Sequence, residues 1–184
     1  VLNKDKTRKQ LIKELDQRQE EVDRLKIETM KDPLTDLFNR RYLATIIPRE
    51  IARAERDKSF IGFMMIDADR FKEVNDRFGH LVGDKVLKEI SKVLQEEARE
   101  MDIVTRYGGN EFLVLLPQID GGLDSVVKRF HKAIEKWNHN FSDIDFPITL
   151  SIGTSVWDPN NPEDVEDVIK KADSSMYEVK DERG

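Results

Sequence analysis

Cysteine is absent from the chain, which excludes disulfides, thiolate metal sites and a cysteine nucleophile together. Only three histidines are present, and they are scattered, which argues against a histidine-rich zinc site. Long apolar runs are also missing. The longest, Phe60 to Ile66, falls far short of the roughly 20 residues needed to cross a bilayer. The N-terminus is charged rather than apolar, so no signal-peptide pattern is visible. Nor is there an excess of basic charge. The 31 basic and 37 acidic residues leave a formal net charge of −6, which argues against non-specific nucleic-acid binding through a broad basic face. A local basic pocket for phosphates is still compatible with that balance.

What remains is a chain of 184 residues, 38% hydrophobic, enough for one ordinary domain plus an appendage. The expectation is a soluble piece of a larger protein, because it starts at Val1 and stops abruptly at Gly184. Residues 1–30 contain no Gly or Pro and are rich in helix formers. Leu11, Leu15, Val22 and Leu25, with Arg18 and Thr29 filling the seam, alternate spacings of four and three, a short and imperfect heptad pattern. This predicts a parallel dimeric stalk; an amphipathic helix packed on its own domain is the plainer account. Asp32-Pro33 ends the helix. A turn through Leu34-Thr35-Asp36-Leu37 then leads into a helix to about Arg56.

Phe60 to Ile66 reads as a strand buried on both faces, ending at Asp67-Ala68-Asp69. Arg70 to Phe78 reads as a short helix stopped by Gly79. Gly83-Asp84 is expected to open a longer helix to about Glu100, with Val86, Leu87, Ile90, Val93 and Leu94 on one face. Asp102 to Thr105 and Phe112 to Leu116 flank Gly108-Gly109 and form a hairpin, with Pro117 ending the apolar run. A helix over Leu123 to Trp137, a strand over Ile148 to Trp157 and a helix over Glu163 to Lys180 complete the pattern. Gly153 within that strand predicts a bulge or a close approach. Interleaved helices and strands imply an α/β fold, with helices covering a sheet that the hairpin makes mixed.

Two acid-bearing points stand out, Asp67 at the end of the buried strand and Asn110-Glu111 at the hairpin tip. Acids at the C-terminal end of a buried strand lie where ligands bind on α/β sheets. If the two strands are neighbours, the oxygens converge and suit Mg²⁺, held by one or two carboxylates plus substrate phosphates. Lys72 and Lys180 would neutralise phosphate charge. The residues alone reach a metal-dependent nucleotide enzyme. Separate surface acids and a solvated polar turn fit them equally well.

Four ordered motifs resemble those of the GGDEF family, the diguanylate cyclases: Asp32-Pro33-Leu34-Thr35-Asp36-Leu37-Phe38-Asn39-Arg40-Arg41; Asp67-Ala68-Asp69-Arg70-Phe71-Lys72-Glu73-Val74-Asn75-Asp76; Gly79-His80 with Gly83-Asp84; and Gly108-Gly109-Asn110-Glu111-Phe112. The resemblance covers about residues 30–181. It implies residues 1–30 as a dimerising coiled-coil helix and 31–184 as a GGDEF domain, with a fold similar to class III nucleotide cyclases and polymerase palms. It implies condensation of two GTP into cyclic di-GMP and two pyrophosphates by facing half-sites of a homodimer, with Mg²⁺ or Mn²⁺, in the cytoplasm, and an upstream sensor in the full-length protein. By position, Asp67, the Ala68 carbonyl, Asn110 and Glu111 would form the metal edge, with Asn110, Glu111 and Lys72 in catalytic roles. Asn75 and Asp84 would read guanine, although a helix-surface Asn and a helix N-cap are the plainer accounts. Phe71, Lys72 and Lys180 would meet the phosphates, and Leu34 belongs to the substrate site. Arg183 fits the family pattern poorly. Arg99-Glu100-Met101-Asp102 matches the inhibitory RxxD motif, with Arg129 as a secondary product contact. Asn110 departs from the family, which has Asp or Glu there. A neutral amide in that place predicts much reduced turnover, or a receptor that binds GTP or cyclic di-GMP without turnover.

Overall fold

The computed structural model describes residues 8–120 and 122–182. Its elements run α1 (Arg8–Thr29), β1 (Phe38–Asn39), α2 (Arg40–Asp57), β2 (Phe60–Ala68), α3 (Phe71–Phe78), α4 (His80–Glu97), β3 (Ile103–Gly108), β4 (Glu111–Ile119), α5 (Asp124–Asn138), β5 (Leu150–Trp157) and α6 (Val165–Asp181). The sheet order is β1-β3-β4-β2-β5. β1 lies parallel to β3, and every other pairing is antiparallel, so the sheet is mixed as expected.

Side chains alternate across a strand, so one sheet builds two cores. Met64, Ile66, Phe112, Val114 and Leu116 face α4 and α5, meeting Val86, Leu87, Ile90, Leu94, Val126, Phe130 and Ile134. Phe63, Met65, Leu113 and Leu115 face the other way, onto Leu43 and Ala54 of α2 and Val168, Ala172 and Met176 of α6. Because β2 and β4 are covered on both faces, they read as continuous apolar runs rather than alternating ones.

Several boundaries differ from expectation. β2 continues through Asp67 and Ala68, because both still pair with neighbouring strands. β4 continues past Pro117 to Ile119: the register shifts there, and Gln118 takes a φ of 53°, so the proline sits at a bulge where it owes no ladder hydrogen bond. α4 starts at His80 and ends at Glu97. Gly83 and Asp84 therefore lie inside the helix, and Asp84 is not its N-cap. The two-residue β1 escaped the sequence because it is too short to show a period. Gly153 is a close approach without a bulge. A Cβ there would lie 2.1 Å from both the Ala172 carbonyl oxygen and the Met176 nitrogen, so only glycine lets α6 pack against β5.

The N-terminal helix is present, with Leu11 and Leu15 exposed in the single chain. The side chains of Val22 and Leu25 lie outside the described residues. Asn39 joins this helix to the domain. Its Oδ1 accepts from the Arg41 and Tyr42 amides and caps α2, while its Nδ2 donates to the carbonyls of Thr29 and Lys31.

Candidate active site

β2 and β4 are direct neighbours, and their register sets Asp67 opposite Glu111. The convergence of the two acid points therefore follows from strand pairing. Both side chains share the α6 face with Met65 and Leu113 by the alternation of the strands. Asp67 is only 4% exposed. Lys180 reaches it from the end of α6, donating from Nζ to Oδ1 at 2.8 Å. Burial pulls the Lys180 pKa down, but the hydrogen bond and charge of Asp67, with Asp69 and Tyr177 adding, hold it above the ordinary lysine value. Burial raises the Glu111 pKa. The charges of Asp67 and Asp173 push the same way, and Lys180 opposes them only in part. The site is thus an acidic edge with one lysine against it.

Asp173 was missed from sequence. It lies seven residues before Lys180, two turns back along α6, and that spacing is the signal that could have found it. An open groove of about 630 Å³ adjoins Glu111, lined among others by Arg40, Leu43, Tyr107, Ile169, Asp173 and Tyr177. Asp69 turns away to a different task, accepting from the hydroxyls of Thr149 at 2.5 Å and Ser151 at 2.6 Å, which ties the end of β2 to the start of β5.

The hairpin tip is fixed by an arginine that sequence reasoning also missed. Arg106 donates from Nε (3.0 Å) and Nη2 (2.8 Å) to the Gly109 carbonyl, and from Nη1 to both Asp32 carboxylate oxygens (3.0 and 3.2 Å). Asp32 also accepts from the Thr35 amide and hydroxyl. Burial raises the Asp32 pKa, but these hydrogen bonds outweigh it and hold the carboxyl below its ordinary value. Gly109 takes a φ of 48°, which glycine tolerates without cost. At the tip, the Asn110 Nδ2 donates to the Ala68 carbonyl at 2.9 Å, and the Ala68 amide donates to the Asn110 carbonyl at 3.2 Å.

The other expected residues fall into two further groups. Phe71 and Leu34 are half-buried and pack on the core beneath α4. Asn75, on α3, lies against Gly83 of α4, where a Cβ would come within 2.1 Å of its Oδ1. This places Asn75 beside the exposed Asp84, across the α3–α4 junction. Lys72 is exposed on α3. Arg99 and Asp102 close a turn between α4 and β3: the Arg99 amide donates to Asp102 Oδ2 at 2.8 Å, and the Asp102 amide donates to the Arg99 carbonyl. A cavity of about 270 Å³ beside this turn is also lined by Lys31 and Asp36. Arg129, on α5, approaches Glu97 at 3.6 Å, while its buried Nε and Nη2 lack hydrogen-bond partners. Arg183 lies outside the described residues.

The donors present can be tested against a divalent cation. Asp67 and Glu111 supply two carboxylates, which fits one hard cation delivered with a phosphate chain. The Ala68 carbonyl and the Asn110 amide, as they stand, satisfy each other. Among the described residues, no group of three or more His, Cys, Asp or Glu is gathered closely enough to hold a metal by itself. These two carboxylates fit a cation only if it brings ligands of its own, such as phosphate oxygens.

Comparison with known proteins bears on the family and the fold. The family model described as "Diguanylate cyclase, GGDEF domain" matches residues 29–184. This chain belongs to the GGDEF family. Among curated relatives, the GGDEF domain here is 37% identical over 151 residues to the diguanylate cyclase DosC of Escherichia coli, covering 81% of this chain and 32% of that protein. It is 39% identical over 153 residues to the diguanylate cyclase DgcP of Pseudomonas aeruginosa, covering 82% and 22%. The chain therefore spans about a third or less of these two relatives. The coiled coil and GGDEF domain of DgcB from Caulobacter crescentus, solved in complex with c-di-GMP, superposes with a TM-score of 0.79 at 25% identity, covering 92% of this chain and 90% of that one. The fold expected from the interleaved helices and strands, a mixed sheet flanked by helices, is the fold found.

Proposed function

We propose that this GGDEF domain is a diguanylate cyclase half-site, condensing GTP with a second GTP held by another copy of the chain to give cyclic di-GMP and two pyrophosphates. The observation that carries the reading is the Asp67–Glu111 pair, set opposite each other by the β2–β4 register with Lys180 against Asp67. A bound Mg²⁺ or Mn²⁺ would neutralise triphosphate charge between these carboxylates. Lys180 and Lys72 place cations for the β and γ phosphates. Asn75 and Asp84 present an amide and a carboxylate to the guanine edge, where the carboxylate accepts from N1–H and the exocyclic amine. Phe71 and Leu34 supply apolar support. Burial and the charges of Asp67 and Asp173 raise the Glu111 pKa, and a cation at this edge would relieve that repulsion. Arg99, Asp102 and Arg129 are proposed to bind product and restrain turnover. Residues 1–30 would join two copies and raise the effective concentration of one half-site for the other. Residues 31–184 form the domain, an upstream sensor would control it, and the cytoplasm supplies its GTP. No described helix is long and apolar enough to cross a membrane.

A second reading, a receptor that binds GTP or cyclic di-GMP without turnover, is favoured by one observation: Asn110 spends its amide on the Ala68 carbonyl. One experiment separates the two. The protein and its Asn110→Asp variant are incubated with GTP and Mg²⁺, and cyclic di-GMP is measured. The cyclase reading expects turnover to rise by at least about a hundredfold in the variant, in line with recovering a charged group at a reacting centre. A folded, dimeric variant that binds product but makes none would establish the receptor.

A further inference from the structure

The tip of the hairpin and the end of β2 are tied at residues 68 and 110 by two reciprocal hydrogen bonds, one backbone and one through the Asn110 side chain. This extends the β2–β4 pairing one step beyond Asp67–Glu111. The Ala68 carbonyl fixes the amide orientation, because turning the amide over would set two oxygens about 2.9 Å apart with no proton between them. A carboxylate at position 110 has no donor at all. It could be held to the Ala68 carbonyl only through a group between the two oxygens, a cation or a water donating to both.

We infer that Asn110 is a positioning residue whose amide stands in for a bridging divalent cation, latching the hairpin tip to the end of β2 without metal. This rests on the reading of Asp67, Ala68 and the tip as the cation edge. Two donors of the chain already engage that edge. Lys180 neutralises Asp67, and Asn110 saturates a lone pair of Ala68. A free cation entering between them must displace Lys180 from Asp67 and compete with the Asn110 amide at the Ala68 carbonyl. The domain therefore keeps its tip ordered in chelator and binds a divalent ion only weakly when no nucleotide accompanies it. The latch also gives the neutral residue at the hairpin tip a task, since the hydrogen bond supplies a tether without a charge.

The test uses the full chain, nucleotide-free, with Mn²⁺ alone as probe. Thermal midpoints in EDTA and in excess MnCl₂, and free Mn²⁺ counted by electron paramagnetic resonance, are compared for the protein, Asn110→Asp and Asn110→Ala. The unchanged protein should show the same midpoint in EDTA and in MnCl₂. Asn110→Asp should melt lower in EDTA, recover in MnCl₂, and bind Mn²⁺ at least about tenfold more tightly, because ligand binding to the native state is what raises its midpoint. Asn110→Ala should melt lower in EDTA and not recover, which a merely structural role shared by both variants would not produce. The inference is overturned if the unchanged protein gains as much from Mn²⁺ as Asn110→Asp, or if Asn110→Ala melts where the unchanged protein does. Failure of the cyclase reading is separate. It would appear as Asn110→Asp that binds Mn²⁺ yet forms no cyclic di-GMP from GTP.

Discussion

Replacing Arg106 should cost more than any exposed arginine, and the cost can be worked from its contacts. Two nitrogens hold the Gly109 carbonyl and a third holds both oxygens of Asp32. The two side chains are only 16% and 18% exposed, so water screens the pair little. Hydrogen bonds to charged groups contribute about 1.5–3 kcal/mol each, without adding fully. Arg106→Met, which keeps the apolar stem, should therefore lose about 3–4 kcal/mol, part of it from stranding Asp32. Asp32→Asn keeps an acceptor for Thr35 but loses the charge, and should lose about 1.5–2.5 kcal/mol. Urea unfolding of both single variants and the double variant gives the coupling, expected at about 1–2 kcal/mol.

The pH dependence has a definite sign. The Asp32 pKa is lower in the folded state than its ordinary value, so the pair stabilises fully above that ordinary value and fades as pH falls through the lowered one. The native protein should lose this contribution between mildly and strongly acidic pH, and Asp32→Asn should lack that part of the slope. A coupling below about 0.5 kcal/mol, the noise of additivity, would refute the account. So would an Asp32→Asn penalty that persists undiminished in strong acid.

Gly153→Ala should destabilise by about 3 kcal/mol, the upper end for overpacking, because its Cβ meets α6 backbone atoms that cannot turn aside; chemical denaturation measures this. Gly83→Ala should differ in kind. Its Cβ meets the Asn75 side chain, which can swing away, and a helical alanine recovers up to about 1 kcal/mol over glycine. Stability should stay near that of the parent while GTP affinity, followed by calorimetry, falls at least about tenfold, or 1.4 kcal/mol, through displacement of Asn75. Lys180→Met should cost about 1–3 kcal/mol by leaving the buried Asp67 unpaired, and Asp67→Asn added to it should restore part of the loss in the same unfolding assay.

The cores were legible because burial on both faces leaves a direct imprint: β2 and β4 are nearly unbroken apolar runs, and α4, α5 and α6 carry apolar residues at helical spacing. Element ends were less legible. Pairing carried β2 through Asp67 and Ala68, and a bulge carried β4 past Pro117, and both depend on neighbouring strands. The Arg106–Asp32 clamp joins residues 74 apart and has no local pattern. Asp173 has only its helical spacing from Lys180 to mark it, and it matters because its charge acts on Glu111 across the fold.

By itself, then, the sequence determined which family the chain belongs to, because its four motifs are local and each brings its own side chains. It also determined that the third hairpin position is neutral. Only the tertiary structure decided what that neutrality does. Whether an amide is idle or is a latch depends on which acceptor lies 2.9 Å away, and the Ala68 carbonyl is brought there by strand pairing across 42 residues of chain. Hydrogen bonds and close charge pairs act over a few ångströms, so their partners are set by the fold, while periodicity and propensity are written along the chain.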